Sequence, residues 1–255
     1  VSEAARPYVH LTATSYDIID TANAARMRDL FNDVIIPDLL ELEKLLIEMA
    51  RRYSGLPQIG RTHGVHAVPI TFGFALARYV SRVGDRIEAI RRAVENLRGK
   101  MSGAVGAYNA ASLLFDDPER FEEEVLAKLG LRPATHSTQI VEPQFMTDLV
   151  CAVISCFSVL ANLADDVRHL ERTEIGELGE ERGPEEIGSS TMPHKANPWD
   201  FEHVKSMWKA FMPRAITVFM DEISEHQRDL TNSACLLYTS DAADELDGVD
   251  LGGRR

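Results

Sequence analysis

From Asp20 to Tyr53 the apolar residues Met27, Leu30, Phe31, Val34, Leu39, Leu42, Leu45, Leu46 and Met49 return every three or four positions. That is the repeat of an α-helix with one buried stripe. Pro37 interrupts it as a kink or restart, because proline lacks an N–H and crowds the preceding turn. The Gly- and Pro-containing stretch Gly55 to Val68 predicts a loop. Pro69 then suits a first helical turn, and Phe72, Leu76, Tyr79, Val80, Val83, Ile87, Ile90, Val94 and Leu97 predict a second long helix. Gly99 to Ala111 is a Gly-dotted break, and Pro118 to Leu129 reads as a short helix closed by Gly130. Glu142 to Glu177 predicts a third long helix, and Pro198 to Ile223, kinked near Pro213, a fourth. No run alternates with the period of a strand, so the predicted fold is all-α, long helices packed in a bundle. Their apolar faces are wider than one partner covers, which suggests that other subunits complete the burial.

The chain has 255 residues, 45% hydrophobic and 26% charged, enough for one large domain or two smaller ones. Its net charge of −13 argues against binding a phosphate backbone, so nucleic acid is not an expected partner. Cys151, Cys156 and Cys235 do not have the number or spacing of a disulfide framework or zinc site, and they suit the cytoplasm. The longest apolar run, Leu149 to Ala164, is shorter than the roughly 20 residues of a membrane span, and a buried bundle helix explains it better. The chain opens Val1-Ser2-Glu3-Ala4 without an initiator Met, and the expectation is that it starts inside a longer protein.

The segment with most chemistry is Gly188-Ser189-Ser190-Thr191-Met192-Pro193-His194-Lys195-Ala196-Asn197-Pro198. It is a polar loop feeding a helix start, where free backbone N–H groups and the helix dipole favour an anion such as a carboxylate. Lys195 adds charge and Asn197 an amide. By composition alone a flexible linker with an N-cap is the readier reading. A phosphate-binding P-loop does not fit, since Ser189 stands where the lysine belongs and no strand precedes. His63 and His66, at i and i+3, have metal-ligand spacing, yet no third ligand accompanies them and ordinary loop histidines are commoner. Thr14, Ser15 and Asp17 have the pattern of an N-cap cluster. The acidic stretch Glu177 to Glu186 reads most simply as a solvated face or loop.

The Gly188 to Pro198 segment resembles the signature loop of the fumarase/aspartase superfamily. Gly60-Arg61-Thr62-His63-Gly64-Val65-His66-Ala67-Val68-Pro69 with Thr71-Phe72-Gly73 is similar to a second region of that superfamily. His10 with Thr14-Ser15-Tyr16-Asp17-Ile18-Ile19-Asp20-Thr21 is similar to its substrate-binding turn. The segments Ser102 to Asn109, Ser137-Thr138-Gln139 and Gln227 to Ser233 extend the likeness from about Val9 to Ala234. Within the superfamily, Thr62-His63-Gly64 and Gln227-Arg228-Asp229-Leu230-Thr231 resemble the branch acting on adenylosuccinate. That is more than they resemble the argininosuccinate lyase, fumarase or carboxymuconate cycloisomerase branches.

The resemblance implies a β-elimination that releases fumarate from adenylosuccinate and from the succinylated aminoimidazole carboxamide ribotide. It implies no metal and no organic cofactor. Ser189 is implied as the general base. A serine hydroxyl is a poor base unless cationic and N–H neighbours stabilise its alkoxide, and Lys195 and the helix start would supply them. Lys195 with Asn197 would also stabilise charge growing on the substrate carboxylate. His63 is implied as the acid that protonates the departing nitrogen, with Glu202 pairing to it and raising its proton affinity. Thr14, Ser15, Thr62 and Gln139 would hold the succinyl part, Asp17 of the same turn would also bind the substrate, and His10, Arg228 and Ser233 would face the nucleotide. The implied assembly is a homotetramer whose active sites are shared among subunits. A non-catalytic helical assembly relative is the alternative of a different class.

On this reading residues 1–17 are a remnant of an N-terminal domain carrying the substrate-binding turn, and 18–234 are the central helical-bundle domain of the superfamily. Residues 235–255 are a non-family tail, open to being artefactual, with Leu237 where the family pattern calls for a phosphate-binding Arg. The chain by itself is expected to be inactive.

Overall fold

The computed structural model of the chain describes residues 2–180, 191–192, 195 and 197–223. In chain order the helices are α1 (Ser15–Leu30), α2 (Ile36–Arg52), α3 (Phe72–Glu95), α4 (Pro118–Lys128), α5 (Gln144–Leu170), α6 (Trp199–Phe211) and α7 (Arg214–Met220). The strands are β1 (Pro57–Thr62), β2 (Val65–Thr71), β3 (Arg98–Gly99) and β4 (Arg132–Pro133). The described residues fall into two compact units. One is built from 2–31, 94–147 and 216–223, the other from the described parts of Asn32–Ala93 and Asp148–Ala215.

The second unit carries the bundle. Its centre is α3, where Leu76, Tyr79, Val83, Ile87 and Ile90 return every three or four residues and are all buried. Full burial of such side chains contributes at most about 1.5–3 kcal/mol each. Gly73 of α3 lies against the backbone of Ala50, and a Cβ on Gly84 would stand 2.5 Å from Glu43 Oε1, so α2 and α3 run antiparallel in close contact. A polar ladder joins α3 to α5: Arg78 reaches Asp166 at 2.7 Å, Arg82 reaches Asn162 at 2.6 Å and Arg86 reaches Ser155 at 3.2 Å. The numbers rise on one helix as they fall on the other, so these helices are antiparallel too. So are α5 and α6, through Ser158 with Trp208 at 2.8 Å and Asp165 with Lys205 at 2.5 Å. The all-α expectation holds for this bundle.

Details differ from the periodicity. The arm expected from Asp20 to Tyr53 begins at Ser15, and a π-turn over Phe31–Ile35 separates α1 from α2. Pro37 sits in the first turn of α2, where its missing N–H costs nothing. The expected third helix is shorter than Glu142 to Glu177, and the fourth is two helices that part beside Pro213. The loop expected over Gly55 to Val68 is an antiparallel hairpin, and Pro69 lies in β2 opposite Ile59, not in a helical turn. Neither strand has a buried residue, so no period-2 pattern marks them in the sequence.

By length and composition α5 is apolar enough to cross a membrane. Yet its polar positions Ser155, Ser158, Asn162, Asp165 and Asp166 are spent on α3 and α6. That is the behaviour of a bundle helix.

In the first unit α1 buries Asp17, Thr21 and Ala24, one stripe at i, i+4 and i+7. The stripe meets Gly99, where a Cβ would stand 2.9 Å from Thr21 Oγ1 and 2.7 Å from Leu126 Cδ2, so only glycine allows the approach. Gly99 belongs to the two-residue parallel pairing of β3 with β4.

Candidate functional site

The residues of interest lie in both units, and each set has its own construction. In the first unit Thr14 is the N-cap of α1 and Ser15 its first residue. Asp17, three residues past the cap, accepts the Thr14 N–H at 2.7 Å through Oδ2, one half of a capping box. Thr12, two residues earlier, has φ +60, uncommon for a β-branched residue, and its hydroxyl is buried without a hydrogen bond. His10 is exposed beyond it.

Asp17 was expected among the substrate contacts, and its geometry assigns it elsewhere. It is fully buried, and Oδ1 accepts from the Lys100 ammonium, itself fully buried, and from the Gly103 N–H at 3.3 Å. No face of this carboxylate is left for a ligand. Lys100 also donates to the Gly103 carbonyl at 3.0 Å, and its backbone N–H and carbonyl are both bonded to the Thr21 hydroxyl at 3.0 Å. One turn along α1, Asp20 Oδ2 accepts the Val141 N–H at 2.8 Å. This fixes the end of the segment that contains Gln139, whose side-chain Oε1 is buried without a partner. Burial pushes the Asp20 carboxyl up to about 6, against the pull of the Val141 N–H and Lys100.

The Gly-rich segment after Lys100 is held just as closely. Glu122 accepts the Met101 N–H at 2.6 Å and the Tyr108 hydroxyl at 2.5 Å, while Ser102 and Ser137 share a hydroxyl hydrogen bond of 2.7 Å. Gly106, at φ +74, packs its Cα against the Ser137 carbonyl, with no room for a side chain.

In the second unit His63 and Gly64 are the two central residues of the β1–β2 turn, at φ +55 and +75. Two-residue turns with both residues at positive φ match the twist of a hairpin, and histidine tolerates that conformation better than most residues. His63 is thereby presented at an exposed tip, with exposed Thr62 next to it. Strand β1 is tied down along its length: Arg61, two residues before the tip, pairs with Glu177, which also accepts from Gln58 near the base at 3.2 Å. The Arg61 hydrogen bond holds the Glu177 carboxyl below its ordinary range. Glu177 is therefore an anchor for the hairpin and not merely part of a solvated face.

At the start of α6 the Lys195 N–H bonds the Met192 carbonyl at 2.9 Å, and the Asn197 carbonyl accepts from Trp199 at 2.9 Å. The free N–H groups expected there for a substrate anion already have one: Glu180 accepts from Trp199 N–H at 3.1 Å and Phe201 N–H at 3.3 Å. Glu202 faces Arg168 at 3.4 Å, and within one chain no contact joins it to His63 among the described residues. Ser189, Arg228 and Ser233 lie outside the described residues. Among the described residues no three of His, Cys, Asp and Glu gather as a metal site.

Lys100 and Glu180 are site-building residues that the motif reading did not single out, and Asp20 entered it only as part of the substrate-binding turn. For Asp20 a signal existed: Asp17 and Asp20 stand at i and i+3 on α1.

The second unit is thus a bundle of antiparallel long helices with a histidine at the tip of its hairpin. The solved structure of 3-carboxy-cis,cis-muconate lactonizing enzyme from Pseudomonas putida shares the fold with TM-score 0.78 at 29% identity, covering 89% of this chain and 50% of that one. A family model described as Lyase matches residues 2–211, and the chain belongs to that family. Adenylosuccinate lyase of Pyrococcus abyssi is 39% identical over 228 residues, 89% of this chain and 50% of the relative. N-acetyl-S-(2-succino)cysteine lyase of Enterococcus italicus is 35% identical over 224 residues, 87% of this chain and 48% of the relative. The chain spans about half the length of the curated relatives it matches.

Proposed function

We propose that the full-length protein carrying this chain is a β-eliminating lyase that releases fumarate from adenylosuccinate and the succinylated aminoimidazole carboxamide ribotide. The observation that carries this reading is the 39% identity to the Pyrococcus abyssi adenylosuccinate lyase over 228 residues, in a chain whose sequence holds the turn, hairpin and signature-loop motifs in order. Ser189 takes the proton next to the carboxylate, and Lys195 and Asn197 stabilise the charge that develops there. His63 gives a proton to the departing nitrogen. Thr14, Ser15, Thr62 and Gln139 hold the succinyl group, while His10, Arg228 and Ser233 face the nucleotide.

The protein works as a homotetramer in the cytoplasm, and the site is completed between copies. In support, α5 leaves Val150, Val153, Phe157, Leu160 and Leu163 only half-buried. Sharing the site also accounts for His63 and Glu202: they meet when they come from different protomers.

A second reading follows from the Enterococcus italicus relative, whose substrate is a succinylated thiol. The leaving atom is then sulfur, and the succinyl contacts are the same. Mass-spectrometric detection of fumarate from the full-length protein, given a panel of succinylated nucleotides, amino acids and thiols, separates the two. Fumarate from the nucleotides supports the first reading, fumarate from the thiols alone supports the second, and none from any member removes both.

A further inference from the structure

We propose that Lys100 and Asp17 are positioning residues whose buried ion pair locks the Thr14–Ser15 turn to the glycine-rich segment beginning at Ser102. The proposal rests on the function proposed above only in what the turn binds. The geometry itself is a closed circuit within one compact unit. Asp17 Oδ2 takes the Thr14 N–H at 2.7 Å, and Oδ1 takes the Gly103 N–H at 3.3 Å and the Lys100 ammonium. Lys100 returns to the Gly103 carbonyl at 3.0 Å. Two segments far apart in sequence are thus held on opposite oxygens of one carboxylate. The backbone of Lys100 is separately pinned to Thr21 on the next turn of α1.

A buried pair is a costly way to hold a fold. Apolar residues of the same volume commonly serve as well or better, and removing one partner strands a charge. Its benefit is discreteness. Each group has a single partner set at full burial, so the turn has one arrangement, where an apolar contact would tolerate several. That quality matters where a hydroxyl and an N–H must meet a substrate carboxylate at hydrogen-bond distance, since a displacement of about 1 Å costs on the order of 10²-fold in rate. Thr12, at positive φ two residues before the cap, is the strain that such a lock sustains.

The test uses the full-length protein. Lys100→Met/Asp17→Ala removes both charges together, so neither is stranded, and Asp17→Asn is the second variant should that one misfold. Two readouts are taken. Hydrogen exchange by mass spectrometry should show faster exchange in peptides covering 11–18 and 101–106, with the bundle peptides of 72–95 unchanged. Unchanged exchange in the two segments overturns the lock, whatever the enzyme does.

The second readout is a double-mutant cycle on kcat/KM with Ser15→Ala. The pair variant should lower kcat/KM by about 10- to 10²-fold in the native background and by less than about threefold once Ser15 is gone. A residue that serves only stability would give the same factor in both backgrounds, and that result overturns positioning. Absence of fumarate from the unaltered protein defeats the proposed function, while the exchange result still decides the lock.

Discussion

Asp20→Asn should make the protein more stable, and only above a defined pH. Asp20 is largely buried, and its carboxyl rises from an ordinary 3.8 to about 6, mostly because burial disfavours its charge. The folded chain therefore keeps a proton that the unfolded chain has released. Its contribution to stability is full below about pH 4 and is lost as the pH rises through about 6. Two pH units correspond to roughly 3 kcal/mol of unfavourable free energy for ionised Asp20 at pH 8. Asparagine removes that charge and keeps an oxygen for the Val141 N–H, now 2.8 Å from Oδ2. Part of the gain is lost because the new NH₂ needs a partner, leaving about 1–2 kcal/mol at pH 8, about 2–4 °C in Tm for a chain of this size. Thermal melts of native and variant protein at pH 4, 6 and 8 check it. The variant should lose about 1 kcal/mol at pH 4, where little but the NH₂ cost remains, and that loss should turn into the gain as the pH rises through 6 to 8. A gain of equal size at all three, or a loss at pH 8, refutes the argument that the ionised carboxylate is the cost.

Ser189→Ala in the full-length protein should lower kcat by at least about 10²-fold with little change in substrate binding, and Ser190→Ala should be milder; steady-state kinetics with equal losses for both would reject Ser189 as the base. Glu202→Gln should lower kcat by at least about tenfold with KM little changed, because the proposed partner of His63 from another protomer would lose its charge. An unchanged kcat rejects that pairing and leaves Glu202 to Arg168. Gly106→Ala should destabilise by about 1–3 kcal/mol in a urea titration, since Gly106 sits at φ +74 with the Ser137 carbonyl where the methyl would go. Wild-type stability in that variant would mean the segment relaxes freely.

What the sequence made legible was set by distance along the chain. The stripe Leu76, Tyr79, Val83, Ile87, Ile90 on α3 is a local repeat and announces its helix directly. So does the cap at Thr14, whose partner Asp17 is three residues away. The β1–β2 hairpin left no such trace because neither strand buries a residue, and its turn pairs His63 with Gly64 where asparagine or aspartate before glycine is the usual mark. Lys100 and Glu180 were hidden for another reason. A buried lysine makes sense only beside Asp17, and a loop glutamate becomes a cap for α6 only once Trp199 and Phe201 are brought to it. Neither pairing has a periodicity to read.

The ladder between α3 and α5 has a consequence for how the bundle chooses its alignment. Two long apolar helices can slide past each other by one turn and still bury nearly the same surface, so hydrophobicity sets their contact but hardly their offset. Arg78, Arg82 and Arg86 are spaced by one turn and meet three different partners, Asp166, Asn162 and Ser155. A slip of one turn would carry Arg82 to Asp166 and leave an end of the ladder without its mate. The rungs act as a vernier: each is weak alone, and together they leave a single matching position. Replacing all three arginines with leucine should accordingly leave the helices helical while letting the pair populate more than one offset.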